Sequence, residues 1–316
     1  MRVSVVIPVK DDDRIFACVA SVRACAVEAE TLQITVAENG SSEGFRQSLA
    51  GLPEGVELLT LPQPGVYAAR NRGIEKSRGD VILFTDADCV VRPGWVQAAV
   101  NCLERGSDIA QGFSGTARSS LVDRMIQARY EAHLRERRAG EATECDTRNL
   151  AVRREVFDSL TFNERFRRVG DTEFGLLSES LGFRVAYCAE MTVDHSHEPD
   201  IPLFAAKQVC HGWGAQRLMH EHPEVRWHGG HLQLVASWSV RVRRLPGGKR
   251  LGGALAQASV GAGRLLQRFA PRLPFAAAVL LLGAIDKASG LAGHLMFAPG
   301  EPEPSPSGII KRAARD

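Results

Sequence analysis

The sequence predicts an α/β fold in which an open, mostly parallel sheet is flanked by helices. Over the first 113 residues, short β-branched runs alternate with segments of helical periodicity. The first run, Val3–Val9, is continuously apolar, which is typical of a strand buried on both faces. Strands that alternate with helices favour parallel pairing through right-handed crossovers. The 316 residues are 44% hydrophobic and 24% charged, as in ordinary globular proteins.

The predicted elements of this first part follow one another closely. Apolar residues recur at helical spacing from Ile15 to Ala29. The next elements are strands at Leu32–Ala37 and Glu57–Leu61, a helix at Val66–Ser77, a strand at Val81–Thr85 and a helix from Pro93 to Arg105. Pro93 suits the first turn of a helix, where its missing N–H costs nothing.

The pattern beyond residue 114 is less regular and suggests four segments in all. Helices are predicted at Ser119–Arg138, around Glu155 and at Thr172–Leu181, with short strands at Asn149–Val152, Phe183–Tyr187 and Met191–Asp194. We place boundaries so that the segments are 1–113, 114–222, a basic helical extension 223–298, and a Pro/Glu/Ser-rich tail 299–316 that we expect to be disordered.

Composition excludes several classes of protein. The seven cysteines form no C-x-x-C pair and are odd in number, so a zinc cage or a disulfide framework is not expected and a reducing cytosol fits best. A net charge of +2 gives no reason to expect a nucleic-acid partner. The N-terminal apolar run is too short for a signal peptide, and the longest apolar run, Phe275–Ile285, is too short to span a membrane.

The strongest local signal is the acidic pair in Asp86-Ala87-Asp88, directly after the strand Val81–Thr85. Ligands of open α/β sheets bind beyond the carboxyl ends of the strands. Two carboxylates there suit Mg²⁺ or Mn²⁺, which takes one or two protein carboxylates and completes its shell with phosphate oxygens. A solvated acidic turn is the alternative for an isolated pair of this kind.

Other polar segments are expected at the same edge of the sheet. Pro8 and Lys10–Asp13 accompany the end of the first strand, Glu38–Ser42 follows the second, and the basic segment Gly65–Gly73 precedes the acidic pair. Arg70 in that segment is a candidate phosphate ligand, because guanidinium binds phosphate through two hydrogen bonds. These segments together favour a nucleotide or phosphate site over a solvated turn.

In this order the motifs resemble those of the inverting family-2 glycosyltransferases of GT-A fold. The matching stretches are Val3–Val9, Glu38–Ser42, Ala69–Gly73, Asp86–Asp88, Asn149–Arg154, Phe162–Phe166 and Val169–Phe174. The resemblance implies a donor-binding half at 1–113 and an acceptor half at 114–222. It also implies metal-dependent transfer of a sugar from a UDP-, GDP- or dTDP-sugar to an acceptor hydroxyl.

The site residues are implied by their positions in these motifs or, for His195, His197 and Trp213, in later segments that the family often carries. For the histidines a surface pair, and for Trp213 structural helix packing, is the alternative. Asp171 matches the general base, but Gly170 stands where the family usually has Glu, so Glu173 stays open as a substitute. Chemistry requires the same two roles, a base for the acceptor proton and a Lewis acid for the leaving diphosphate. The implied donor-binding residues are Pro8, Glu38, Asn39, Arg70, Asn71, Asp86 and Ala87, the acceptor-binding residues are Asn149, Arg153 and Trp213, and the metal ligands are Asp86, Asp88, His195 and His197.

The basic extension raises the question of a membrane partner. It carries Lys and Arg but no acid between Val225 and Ile285, interleaved with Leu, Val and Trp. This pattern favours peripheral contact with the cytoplasmic face of an anionic membrane, and hence a lipid-linked acceptor; a solvated basic face is the alternative. Two other functions also stay open: a sugar nucleotidyltransferase and a non-catalytic protein of the same fold.

Overall fold

The computed structural model describes residues 1–25, 31–116, 120–138, 145–197, 200–223 and 247–314. The chain forms two compact units, one comprising Met1–Ala117 and Thr143–Ser196, the other Arg118–Ala142 and His197–Asp316. The predicted boundaries at 113 and 222 differ from this division, because the chain leaves the first unit near residue 117, returns to it near 143 and leaves again after Ser196.

An eight-stranded sheet with flanking helices makes up the first unit. Its strands are β1 (Arg2–Val9), β2 (Thr31–Asn39), β3 (Val56–Leu61), β4 (Val81–Thr85), β5 (Cys89–Val91), β6 (Ile109–Thr116), β7 (Asn149–Arg153) and β8 (Val185–His195). Its helices are α1 (Ile15–Ala24), α2 (Glu43–Ser48), α3 (Val66–Lys76), α4 (Trp95–Glu104) and α6 (Gly170–Ser180), with 3-10 turns at Leu49–Gly51 and Arg154–Asp158. α5 (Leu121–Arg138) belongs to the second unit.

The strand order is β3-β2-β1-β4-β7-β6-β8-β5. The first four strands are parallel, β7 runs antiparallel to both β4 and β6, β6 and β8 are parallel, and β5 closes the order antiparallel to β8. The sheet is therefore mixed and mostly parallel, which confirms the predicted fold class.

Burial explains why the central strands carry continuous apolar runs. Every residue of β1 after Arg2 and every residue of β4 is buried, since each strand has a neighbour on both sides and helices on both faces. α1 and α4 pack on this core through residues such as Ile15, Val19 and Trp95. A fully buried apolar side chain of this size stabilises the fold by about 1.5–3 kcal/mol.

One predicted pair of strands is a single irregular strand. Phe183–Tyr187 and Met191–Asp194 were expected as separate strands, but both fall in β8. The register against β6 shifts between Gly112 and Phe113, which pair with residues 188 and 192. A β-bulge of this kind interrupts the alternation of side chains, which is why the sequence pattern suggests two strands.

The part of the second unit that the structure describes contains five α-helices: α5, α7 (Ile201–Glu221), α8 (Gly248–Phe269), α9 (Phe275–Met296) and α10 (Pro306–Arg312). Their buried faces share one apolar core that includes Val209, Val260 and Leu282. α7 and α9 approach closely at Gly212, where an added Cβ would lie 2.0 Å from the carbonyl oxygen of Gly290. This contact explains the small residues in both helices, because only glycine allows backbones so near.

Two features of the C-terminal region differ from the sequence pattern. α9 is long and apolar enough to cross a membrane by length and composition alone, because the helix continues beyond Ile285, with Asp286 paired to Arg129 at 3.0 Å. The tail expected to be disordered contains α10, whose N-cap Ser305 accepts a hydrogen bond from the backbone N–H of Gly308. Ser followed by Pro is a helix-start signal, and Ile309 anchors the helix in the core.

Candidate active site

Three segments of the first unit meet at one edge of the sheet. β4 ends at Thr85, so Asp86–Asp88 lies just beyond it. Thr85 pairs with Asn149, the first residue of antiparallel β7, which brings residues 146–148 to the same edge. β8 ends there as well, at His195. The topology thus gathers acidic and basic side chains that are more than 100 residues apart.

Asp86 is held by a buried arginine. Arg70 Nη2 lies 2.6 Å from Asp86 Oδ1, and the Arg70 side chain is only 3% exposed. Burial raises the pKa of Asp86, and the neighbouring carboxylates of Asp88 and Asp146 add to that rise, while Arg70 opposes it. Asp86 is therefore a carboxylate whose negative charge lacks full compensation within the protein.

Asp88 has a different electrostatic environment. His195 Nε2 lies 3.1 Å from Asp88 Oδ2, and Arg14 Nη2 lies 3.8 Å from the same oxygen. Burial alone would raise the pKa of Asp88, but the hydrogen bond with His195 and the charges of Arg14 and Arg148 hold it well below its usual range. Asp88 is thus ionised at neutral pH and available as a ligand.

Asp146 and Arg148 are site residues that the sequence analysis did not identify. Arg148 makes several hydrogen bonds to the Asp146 carboxylate, and Arg148 Nη1 lies 3.4 Å from His195 Nδ1. Burial raises the pKa of Asp146, but Arg148 outweighs it and lowers the pKa to about 2. The two side chains connect the acidic pair to the segment that precedes β7.

Asp171, in the first turn of α6, accepts hydrogen bonds on both carboxylate oxygens. Tyr67 Oη lies 3.2 Å from Oδ1, and the backbone N and hydroxyl of Thr147 lie 3.3 and 3.2 Å from Oδ2. Burial raises the pKa of Asp171, and the Asp146 carboxylate raises it further, while Arg70 lowers it. A carboxylate with a raised pKa is a stronger base once ionised.

A comparison with models of protein families identifies the family of this chain. Residues 4–161, half of the chain, match the model described as "Glycosyl transferase family 2". This chain belongs to glycosyltransferase family 2. Among curated relatives, glycosyltransferase AglE from Haloferax volcanii is 24% identical over 210 residues, which cover 62% of this chain and 67% of AglE.

Solved structures show the same fold. A glucosyl-3-phosphoglycerate synthase from Mycobacterium tuberculosis, in complex with Mn²⁺, UDP and phosphoglyceric acid, is 19% identical with a TM-score of 0.51, and the match covers 72% of this chain and 80% of that one. The same synthase with phosphoglyceric acid alone gives 18% identity and a TM-score of 0.50 over 69% and 79% of the two chains. The chain is therefore a family-2 glycosyltransferase with a GT-A fold.

The acidic edge of this glycosyltransferase has the chemistry of a divalent-cation site. Asp86 and Asp88 offer carboxylate oxygens, His195 lies beside Asp88, and the raised pKa of Asp86 marks negative charge that a cation would offset. Within the described ranges, no three His, Cys, Asp or Glu side chains are arranged to hold a metal by themselves. A cation here would take Asp86 and Asp88 and fill the rest of its shell from substrate oxygens, as Mg²⁺ commonly does.

Several residues expected to bind the donor are used inside the protein. Glu38 is fully buried and accepts a hydrogen bond from the N–H of Ser41, while its Oε2 has no hydrogen-bond partner among the residues that the structure describes. Asn39 donates to the carbonyl of Val9 and accepts from the N–H of Gly65, so it braces the loops.

The other predicted donor residues lie on α3, in β1 and directly after β4. Asn71 is hydrogen-bonded to the backbone N–H and carbonyl of Phe162 and to Glu164, so it braces the segment around residue 162. Pro8 is buried within β1, paired with Ala37, and Ala87 is buried between the two carboxylates of the acidic pair. Within the predicted donor set, Arg70 and Asp86 form a direct ion pair, and Ala87 follows Asp86 in the chain.

The structure places the three expected acceptor residues in contacts within the protein. Asn149 is fully buried and binds the Trp95 indole N–H and the carbonyls of Phe113 and Met191. Arg153 lies at the opposite end of β7 and donates to the carbonyls of Ser107 and Leu103, away from the acidic edge. Trp213 is buried in the second unit, edge-on to Phe297.

His197 and Glu173 also differ from expectation. His195 and His197 were expected on one face of a strand, but β8 ends at His195, and His197 is buried with its Nε2 3.1 Å from Gln127 Oε1. Glu173 is 2% exposed and accepts a hydrogen bond from Asn163. Asp171 therefore has the better placement for contact with a substrate, and His195 alone of the two histidines touches the acidic pair.

Proposed function

We propose that this family-2 glycosyltransferase moves a sugar, with inversion, from a nucleoside-diphosphate sugar to an acceptor hydroxyl, and that the transfer depends on Mn²⁺ or Mg²⁺. The observation that carries the proposal is the pair Asp86 and Asp88 at the end of β4, held by Arg70 and His195, with Asp171 on a separate helix of the same unit. The Mn²⁺ and UDP in the complex of the mycobacterial synthase make UDP-sugars the first donors to test.

The chain's own groups account for both halves of the displacement. The oxygen of the acceptor hydroxyl forms a bond to the anomeric carbon, and Asp171 takes the proton of that hydroxyl. The bond from that carbon to the diphosphate oxygen breaks on the opposite face, and its electron pair leaves with the nucleoside diphosphate. A cation bound by Asp86 and Asp88 would supply Lewis-acid stabilisation of that leaving group. Arg148, beside His195, adds positive charge to this edge.

Ligand binding gives the first test. UDP-, GDP- and dTDP-sugars are added with and without Mn²⁺ or Mg²⁺, and the Tm is measured. One nucleotide class is expected to raise the Tm only when metal is present. At a ligand concentration of 100 times Kd, binding should increase the free energy of unfolding by about 2.7 kcal/mol. Asp88→Asn should lose this gain. Asp80→Asn is the matched control, because Asp80 precedes the same strand at its other end, paired with Arg2.

The released product separates the competing functions. Nucleoside diphosphate supports the transferase, whereas pyrophosphate would indicate a sugar nucleotidyltransferase. Neither product, together with no change in Tm for any donor, would indicate a non-catalytic protein of this fold. The segment after β1, Lys10–Asp13, favours the transferase because it holds three aspartates and no glycine, and such a loop would repel a triphosphate.

We also infer a cytoplasmic location and peripheral contact with an anionic membrane, which makes a lipid-linked acceptor the candidate to test first. The seven cysteines are all buried free thiols, as a reducing compartment allows. Leu265, Phe269, Leu280 and Leu281 of the second unit are 41–75% exposed, with Arg268 and Arg272 against Phe269. Four basic residues of the C-terminal extension, at 226, 241, 243 and 244, lie outside the residues that the structure describes.

Vesicle binding tests this contact. The chain should sediment with phosphatidylglycerol vesicles and not with phosphatidylcholine vesicles, because arginine side chains attract anionic headgroups. The double variant Leu280→Gln/Leu281→Gln should sediment less, while Leu58→Gln, an exposed leucine of β3, serves as the control. Equal sedimentation of all three proteins would refute the proposed surface.

A further inference from the structure

The aromatic ring of Tyr67 occupies the space where a side chain at position 170 would begin. A Cβ built on Gly170 would lie 2.7 Å from Tyr67 Cε2 and 2.8 Å from Cζ, closer than real Cβ contacts. The resemblance to the family-2 motifs implies Glu at this position. The departure at Gly170 therefore has a local physical reason: this chain places a tyrosine ring there instead.

The Tyr67 hydroxyl has a complete set of hydrogen bonds at the first turn of α6. It accepts from the backbone N–H groups of Gly170 and Asp171, at 2.9 and 3.3 Å. Its proton is then left to donate to Asp171 Oδ1, 3.2 Å away. Burial, and then the charge of Asp171, raise the pKa of Tyr67 well above its ordinary value, so the hydroxyl keeps that proton at neutral pH.

Packing fixes the tyrosine ring in this position. Tyr67 is 4% exposed and its ring stacks on Phe162, with centroids 5.8 Å apart and planes at 27°. The guanidinium of Arg70 also lies over the Tyr67 ring, 5.5 Å from its centroid. Tyr67 and Arg70 are three residues apart on α3 and share a helix face, so one helical turn contacts both Asp171 and Asp86.

We propose that Tyr67 is a positioning residue for Asp171: its hydroxyl donates to the carboxylate, fixes the carboxylate's orientation and stabilises its charge. The missing side chain at Gly170 makes room for the ring that does so. The mechanistic meaning of this proposal rests on the proposed role of Asp171 as the base. The tyrosine itself touches Asp171 and the helix backbone, and it acts through them.

The groups around Asp171 define what removal of the hydroxyl would change. Asp146 faces it from the segment before β7 and disfavours its charge, while Arg70 faces it from α3 and favours it. Thr147 and the N–H of Thr172 donate to its oxygens. Tyr67 adds a further donor to Oδ1, and a hydrogen bond to the charged form lowers the pKa of a carboxyl.

A direct titration tests the contact without any need for turnover. The full chain is labelled with [γ-¹³C]aspartate, and the Asp171 signal is assigned as the one missing in Asp171→Asn. Tyr67→Phe keeps the stacked ring and is expected to raise the pKa of Asp171 by about one unit, the scale of one lost hydrogen bond to a charged group. Tyr187→Phe, which removes a hydroxyl from β8, should leave it unchanged. An unaltered pKa in Tyr67→Phe would overturn the proposal.

Kinetics then connect the contact to the reaction. The acidic limb of kcat/KM against pH should move upward by the same amount in Tyr67→Phe, a loss of about tenfold per unit below the limb. Gly170→Ala, which displaces the ring, should move both the pKa and the limb in the same direction and serves if Tyr67→Phe folds poorly. No release of nucleoside diphosphate by the wild-type chain would refute the proposed function, while the titration would still decide the role of Tyr67.

Discussion

Arg70 Nη2 lies 2.6 Å from Asp86 Oδ1, and this pair is the most buried arginine contact at the acidic edge. A phosphate ligand was expected at Arg70, but the structure shows that its guanidinium is already bound to a carboxylate of the acidic pair. Among the described residues its buried Nε has no hydrogen-bond partner, and the guanidinium also lies 5.5 Å from the centroid of the Tyr67 ring. Arg70 thus offsets charge within the protein before any donor arrives.

Arg70→Ala should destabilise the fold. It leaves Asp86 buried without its counter-charge, which costs about 2–3 kcal/mol after allowance for the partial exposure of Asp86. The matched control is Arg72→Ala, two residues along α3, where the pair with Glu75 is exposed and should contribute little to stability. Chemical denaturation of the two variants checks this, and equal losses would contradict the assigned difference in burial.

His195 and His197 provide a second matched pair. His195→Asn removes the ring beside Asp88 and should weaken metal-dependent donor binding about tenfold, the scale seen when a group that orients a metal ligand is removed. His197→Asn should leave donor binding unchanged and lower only the Tm, since its ring is buried against Gln127. Titration calorimetry with Mn²⁺ and donor measures both, and a reversed order would move the metal site away from Asp88.

Asp171 and Glu173 are distinguished by exposure to substrate. Asp171→Asn should keep donor binding and lose about 10²- to 10⁴-fold in transfer rate, because a general base is removed. Glu173→Gln should keep most of the rate, since this side chain is buried and bonded to Asn163. Release of nucleoside diphosphate is the measurement. Retained turnover in Asp171→Asn, with a loss in Glu173→Gln, would reassign the base.

Asp146 gives the protein a specific dependence of stability on pH. Its pKa is lowered to about 2, so its contribution to stability is present above the unfolded-state value and is lost as the pH falls through 2. Asp146→Asn should therefore cost about 1–2 kcal/mol at pH 7 and progressively less below pH 4. Tm values of the wild-type chain and of Asp146→Asn, measured from pH 7 to pH 3, show whether the difference between the two proteins becomes smaller. Asp13→Asn, at an exposed position, is the control.

Local sequence patterns predicted the parts of the site that directly follow a strand. The apolar run Val81–Thr85 located β4, and the acidic pair Asp86 and Asp88 had to lie at its end. Asp146 and Arg148 escaped prediction because they precede their strand. They reach the same edge only because β7 runs antiparallel to β4, and no local periodicity reports the direction of a neighbouring strand.

Burial explains the other differences. Asn149 and Trp213 match motifs in the sequence, but a motif does not show whether a polar group is used up inside the core. Asn149 accepts a hydrogen bond from an indole N–H and donates to two carbonyls. Each of these buried polar groups would cost about 1–3 kcal/mol if it were left without a partner. His197 was misplaced for a simpler reason: the alternation of a strand applies only as far as the strand extends.

The shared space of Tyr67 and Gly170 restricts how this part of the enzyme can diverge. With this backbone, an aromatic ring at position 67 and any side chain at position 170 exclude each other. Relatives should therefore divide into two groups, one with a large residue at the first position and glycine at the second, the other with the sizes exchanged. A change from one group to the other would pass through an intermediate with small residues at both positions, in which Asp171 loses the hydrogen bond of Tyr67 and keeps those of Thr147.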